Sequence, residues 1–249
     1  MIPHALNGLA FVERLYCQAE GHLTSEMAKR IKEKPAKGFF VFQTDTVNSA
    51  GNGSEIPLRD TRGGLWASFA VAMDTKRTFS YCKQAFALAI QSVLSGNVNH
   101  KVMSIKWPDE ICCNNKTIGV LRDELHPLNN DVVILSMYLY VNAFPDQIIS
   151  GMEDSVTTML AETGNCESIG TILRKICESF YENLLFSVNT LLHRYNEHLY
   201  KRGSHAELDG RRGIFEHVDE NGAFCLLIGD KCMEFHTGKP TFLPDNQNG

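Results

Sequence analysis

Lys106-Trp107-Pro108-Asp109-Glu110 and, after a gap of five residues, Lys116-Thr117-Ile118-Gly119-Val120-Leu121 form the stretch on which the reading of this chain turns. Val102 to Trp107 is a β-prone run that delivers a lysine and is stopped by a proline, which lacks the N–H a ladder needs. Two acids follow in the turn, and a second short run, Thr117 to Leu121, opens beside another lysine. Two lysines at strand ends next to two carboxylates suit one kind of chemistry. The cations can hold an anionic substrate against a phosphate, and the carboxylates can help carry a divalent metal.

Further strands lie on both sides. Val132 to Val141, Gly38 to Thr44 and Leu65 to Met73 are compact apolar runs. Thr24 to Ile31 opens on a cap residue and continues in helix formers. Phe79, Cys82, Phe86, Ala89 and Val93 recur at helical spacing, with an end near Gly96. From Ile169 through Leu173, Ile176, Phe180, Leu184, Val188, Leu191 and Tyr195 to Leu199 runs an apolar stripe, which predicts one helix of roughly eight turns. Asp45 to Asp60, rich in Asn, Ser, Gly and Pro, reads as a long loop. Past Gly203 the texture changes to short β-prone runs broken by Asn221-Gly222 and Gly229-Asp230, the signature of hairpins in a small barrel. The fold class is α+β with a mixed sheet, divided into residues 1–203 and a small C-terminal β-barrel domain over 204–249.

Composition narrows the function. In 249 residues, 43% hydrophobic and 21% charged content describe a globular chain. A formal net charge of −5 offers no field for nucleic acid, and no apolar run is long enough to span a membrane. The eight cysteines show neither CxxC pairs nor zinc spacing, and Met1 to Val12 has no targeting character, so a cytoplasmic location with reduced thiols is expected.

The Lys-Trp-Pro-Asp-Glu and Lys-Thr-Ile-Gly-Val-Leu pair resembles the Lys-Trp-Pro-Asn-Asp and Lys-Ile-Gly-Gly-Ile-Leu pair of biotin protein ligases. Other segments are similar in the same order. Thr24 to Lys29 resembles the family's Ser-Thr-Asn segment, and Asn48 to Ser54 its Gly-Arg-Gly-Arg loop. Gly63 to Ser68 and Val133 to Asn142 resemble two of its strands, and Thr157 to Gly164 a helix start. His217 to Phe224 and Phe235 to Gly238 resemble its SH3-like barrel. The resemblance implies a mixed-sheet catalytic domain of the biotin/lipoate ligase type with an SH3-like β-barrel behind it. It implies an ATP-dependent ligase that makes biotinyl-adenylate and passes biotin to a lysine on the biotin carrier domain of a carboxylase, with Mg²⁺ as companion to ATP. A homodimer is allowed. The segment before Thr24 is too short for a helix-turn-helix domain, so no repressor role is expected.

Carried over residue by residue, the resemblance makes Lys116 and Lys106 the catalytic cations. Thr24, Ser25, Asn48, Gly51, Asn52, Gly53, Ser54, Gly119, Ser136 and Tyr138 become the substrate-binding set. Lys106, Asp109, Tyr140 and Asn142 become nucleotide-binding, and Asp109 and Glu110 metal-binding. Departures weigh against this. Asn52 and Ser54 stand where the family has arginines, whose bidentate fork neither replaces; Arg59 and Arg62 are the nearest substitutes. Ser136 and Tyr138 replace two glycines and Tyr140 an asparagine. Strand alternation puts Ser136, Tyr138, Tyr140 and Asn142 on one face, so the pocket should be smaller and more aromatic. Ile118 narrows the same neighbourhood. The opposing expectation is a catalytically degraded relative that binds a different small molecule or a protein partner through a remodelled cleft. Trp107 reads as a packing residue, and Thr24 and Ser25 serve equally as helix caps.

Overall fold

The computed structural model describes residues 5–18, 24–46, 63–98, 102–148 and 154–244. Among them the elements run β1 (Val12–Gln18), α1 (Thr24–Lys29), β2 (Phe39–Thr44), β3 (Leu65–Ala72), α2 (Phe79–Ser95), β4 (Met103–Lys106), β5 (Glu110–Cys113), β6 (Lys116–His126) and β7 (Asn129–Leu139). Then follow α3 (Pro145–Ile148), α4 (Met159–Thr163), α5 (Ile169–Asn183), α6 (Val188–Glu197), β8 (His205–Leu208), β9 (Arg211–Val218), β10 (Phe224–Ile228), β11 (Lys231–Phe235) and β12 (Thr241–Phe242).

The first seven strands form one sheet in the order β1-β2-β3-β7-β6-β5-β4. Only β1 and β2 pair in parallel, so the sheet is mixed, as expected. Alternation sorts its central strands into two faces. Odd-numbered residues of β3 and β7, among them Leu65, Ala67, Phe69, Val133, Leu135 and Met137, pack with α2 and α5 in the main core. Even-numbered residues face the other way, toward α1. There Phe40, Phe42, Ala70, Val132 and Ile134 enclose Ala28, while Trp66, Tyr138 and Tyr140 form a separate cluster with Val120, Ala143 and Val156. The side covered by α2 is the back face and the side covered by α1 is the front.

The predicted long helix is in fact two. Helix α5 stops at Asn183, and α6 restarts with Ser187 as its cap, whose hydroxyl accepts from the Thr190 N–H. The freed carbonyls of Asn183 and Phe186 both accept from the Tyr81 hydroxyl on α2, at 3.1 and 2.8 Å. The Asn183 amide donates in turn to the Ala85 carbonyl. A break of about one turn keeps Leu184 and Val188 in phase, so the apolar stripe runs through it unchanged. The other long helix, α2, is as predicted, capped by Thr78 and closed at Gly96.

The C-terminal strands make a second, antiparallel sheet in the order β11-β10-β9-β8-β12. No pairing joins β11 to β12 among the described residues, so the expected small barrel is not closed. Its hairpin turn at Gly222, with φ of 83°, needs the conformational freedom of glycine. This sheet docks through specific bonds. The Trp107 indole donates to the Gly222 carbonyl at 3.0 Å, and Gln84 donates to the Asp219 carbonyl at 2.8 Å. The Asn196 amide both donates to and accepts from the Val218 backbone. Phe215, Phe224 and Leu226 then join the same core as α2 and α5. Trp107 is a packing residue, as its sequence context suggested.

Two outcomes are expected. Phe180 is fully buried with its ring 5.1 to 5.8 Å from those of Phe39, Phe69 and Phe86. Phe180→Ala should cost about 3–5 kcal/mol, read in urea titration as a lower midpoint at unchanged slope. Cys17, Cys166 and Cys232 are exposed and the other five thiols buried. A maleimide should therefore label those three in the native protein, and the rest only after unfolding.

Candidate functional site

Antiparallel register lines up the front face in rows, because residues directly opposite each other point the same way. One row crosses six strands: Thr44, Trp66, Tyr138, Val120, Glu110 and Lys106. The next holds Phe42, Ser68, Ser136 and Arg122. Alternation thus brings Lys106, Glu110, Tyr138 and Ser136 to one surface.

Helix α1 lies over the second row and binds it through hydroxyls. Thr24 Oγ1 is 2.6 Å from Ser68 Oγ, which is 2.7 Å from Ser136 Oγ. All three groups are buried. Ser25 on the same helix is buried as well, and burial raises the Tyr138 phenol above its ordinary range. A chain of hydroxyls suits recognition of a polar ligand, since each can donate or accept.

The charged end of the face is internally neutralised. Lys106 Nζ donates to Glu110 at 3.1 Å, and the Thr117 hydroxyl donates to the same oxygen at 2.6 Å. Arg122 pairs with Asp109 through Nη1. Burial lifts the Asp109 carboxyl above the usual range, against the opposing pull of the Arg122 guanidinium. Asp109 and Glu110, the expected metal ligands, are therefore already matched by cations. No group of three His, Cys, Asp or Glu side chains able to hold a metal occurs among the described residues. Such pairing does not fit a ready-made Mg²⁺ site.

Tyr138 is 5% exposed and Tyr140 1%, both packed against Trp66 with ring centroids 6.2 and 6.3 Å away. Their rings fill the front face rather than offering an open platform for stacking. Gly64 belongs to the same packing, since an added methyl would overlap the Trp66 indole. Gly119, expected to bind substrate, instead faces the back: it stands opposite Leu139 of the main core, into which a side chain there would run. Asn142 lies past the end of β7, and its amide donates to the Glu167 carbonyl and accepts from the Glu167 N–H, both at 2.8 Å.

Lys116 is exposed and sits opposite Cys113, which belongs to the back-face core. The register shifts between Ile111 and Cys112, so Thr117 rather than Lys116 stands beside Glu110. One extra residue on β6 reverses the parity of everything before it. Asn48, Gly51, Asn52, Gly53 and Ser54, with Arg59 and Arg62, lie outside the described residues.

Four front-face residues escaped the sequence reading: Thr117, Arg122, Ser68 and Trp66. Counting alternate positions onward from Val120 would have found Arg122 had β6 been extended past Leu121. One further signal needs coordinates. Of four buried side-chain polar atoms without a partner among the described residues, three are on this face: Trp66 Nε1, Tyr140 Oη and Ser104 Oγ. Each such unmade bond costs about 1–3 kcal/mol, and a concentration of them marks a surface not built for stability alone.

Comparison with solved structures places this geometry in a known fold. Biotin protein ligase from Aquifex aeolicus in complex with biotin and ATP superposes with a TM-score of 0.76 at 20% identity, covering 93% of this chain and 99% of that one. The ligase from Leishmania major in complex with biotinyl-5-AMP gives 0.56 at 14% identity, with 93% and 97% covered. A biotin protein ligase-like protein of unknown function from a Silicibacter species gives 0.66 at 13% identity, with 88% and 92% covered. The fold is therefore that of biotin protein ligases across almost the whole chain, the C-terminal sheet included. By sequence, no family model and no curated protein matches.

The hydroxyl chain is testable by itself. Ser68→Ala leaves Thr24 and Ser136 each without a buried partner, at an expected cost of about 1–3 kcal/mol. Replacing all three with Ala or Val should cost less than the sum of the single changes, as measured by denaturant unfolding.

Proposed function

We propose that this chain, which shares the fold of biotin protein ligases, is itself an ATP-dependent biotin–protein ligase. The observation that carries the reading is a match end to end with a ligase holding biotin and ATP, rather than with one sheet of it. The front face supports it chemically, because it sets a buried hydroxyl chain next to an array of fixed charges.

In the first step a biotin carboxylate oxygen attacks the α-phosphorus of ATP, the bond to the β-phosphate oxygen breaks, and pyrophosphate leaves. Two anions brought to ~4 Å repel by about 4 kcal/mol at the effective dielectric of a protein surface. Cations fixed beforehand offset this without having to reorganise. In this reading Lys106 serves the nucleotide, while Lys116, expected at the carboxylate, is given no role because it stands opposite the back-face residue Cys113. Thr24, Ser25 and Ser136 line the biotin end. In the second step a carrier-domain lysine attacks the acyl carbon, AMP departs with the bonding electrons, and the amine loses a proton. Mg²⁺ would accompany ATP; with Asp109 and Glu110 already paired, no step is assigned to it here. A cytosolic location belongs to this reading. Among the described residues no helix is long and apolar enough to cross a membrane.

A second reading has its own support. Trp66, Tyr138 and Tyr140 fill the front face, which favours a remodelled cleft for another small molecule or a protein partner.

Pyrophosphate release from ATP and Mg²⁺ separates the two. The ligase reading expects biotin-dependent release that Lys106→Gln lowers at least tenfold. It also expects Tyr138→Gly, by reopening the face, to lower the biotin KM about tenfold, equivalent to ~1.4 kcal/mol. Absence of release in both the native protein and Tyr138→Gly, with no heat of biotin binding, would sink the ligase reading in favour of the second.

A further inference from the structure

We infer that Arg122 is the anion receptor of the front face, held in place by Asp109 and presenting a free guanidinium edge to the acidic end of a ligand. The other described cations near this face are engaged or turned away. Lys29 on α1 is bound to both Glu26 and Glu124, at 2.8 Å each. Lys106 is bound to Glu110, and Lys83 to Asp123 at 2.7 Å. Lys116 lies opposite a back-face residue. Arg122 differs from all of these. Only its Nη1 is engaged, with Asp109 and with the Leu121 carbonyl at 2.9 Å. Its Nε and Nη2 have no partner among the described residues, and the side chain is 40% exposed. Those two nitrogens form the side-on edge that grips a carboxylate or phosphate with two parallel bonds.

The position of Arg122 points the same way. Arg122 stands directly opposite Ser136, in the row that continues to Ser68. An anion on its free edge would therefore lie at one end of the hydroxyl chain. Asp109 has a holding role. Its single contact on Nη1 fixes the plane of the guanidinium and leaves the opposite edge open. No lysine could do this, since an ammonium has no second edge.

The shared ligand chemistry is an anionic terminus, either the carboxylate of the acid or the phosphate of the nucleotide. The choice of biotin as the acid rests on the ligase reading above; the receptor itself does not. The test is calorimetric titration of the full chain with biotin and biotin methyl ester, and separately with AMP and adenosine. Native protein is compared with Arg122→Gln and with Lys34→Gln, which removes an equal charge from a distant surface pair. The expected result is at least a tenfold preference for the acid over its ester, or for AMP over adenosine, that falls below threefold in Arg122→Gln and persists in Lys34→Gln. The pair that shows the effect identifies carboxylate or phosphate. Failure of biotin and its ester alike to bind would remove the ligase reading while the AMP arm still decides the receptor. A preference unchanged in Arg122→Gln, or no preference for either anion in the native protein, would overturn the inference. Should Arg122→Gln not fold, Arg122→Lys is the second variant. It keeps the charge beside Asp109 but has no side-on edge, so the anion preference should fall at least threefold; an unchanged preference counts against the proposal.

Discussion

Alternation along β3 and β7 is the constraint on which the rest of the molecule depends. These two strands lie at the middle of the sheet, and each must serve two incompatible environments at once. Odd positions close the core against α2 and α5, while even positions carry Trp66, Ser68, Ser136 and Tyr138. A slip of one residue would put serines into the core and phenylalanine and leucine into the site. The apolar back face therefore holds the front face in register. The polar residues of the site need supply no folding energy of their own, which leaves them free for chemistry.

The same logic operates in miniature at Lys106 and Trp107. Neighbouring residues on a strand end must diverge, so the lysine goes forward to Glu110 and the tryptophan backward to the second sheet. Trp107 ties the second sheet to the strand that positions Lys106. Anything that disturbs the seat of the C-terminal sheet is felt, through one backbone, by the charged end of the front face.

Much of this was legible from residues alone. The β-prone runs gave five strands of the main sheet, the helical spacing gave α2, and Asn221-Gly222 gave the hairpin between β9 and β10. Alternation also put Ser136 and Tyr138 on a common face before any coordinates. What escaped has physical reasons. The break between α5 and α6 is stabilised by Tyr81, 102 positions from Asn183, and a bond of that reach leaves no local trace. Strand β5 is four residues long and opens on glutamate, too short for a pattern. The register shift opposite Cys112 exchanged Lys116 for Thr117 beside Glu110, and a bulge cannot be seen in composition. Arg122 lay one residue past the predicted strand end.

Two joints in the structure are made by single asparagine amides that imitate a strand partner. Asn142 holds the Glu167 backbone and Asn196 holds Val218, each by one donated and one accepted bond. Asparagine is also the side chain that time alters by hydrolysis of its amide. Conversion to aspartate would exchange the donor for a second acceptor and set a carboxylate oxygen against a carbonyl oxygen. An attraction would become a repulsion, with the chain and nearly all of its packing unchanged. Chemical ageing of either side chain would thus unmake a joint, one beside the front face and one at the seam between the sheets.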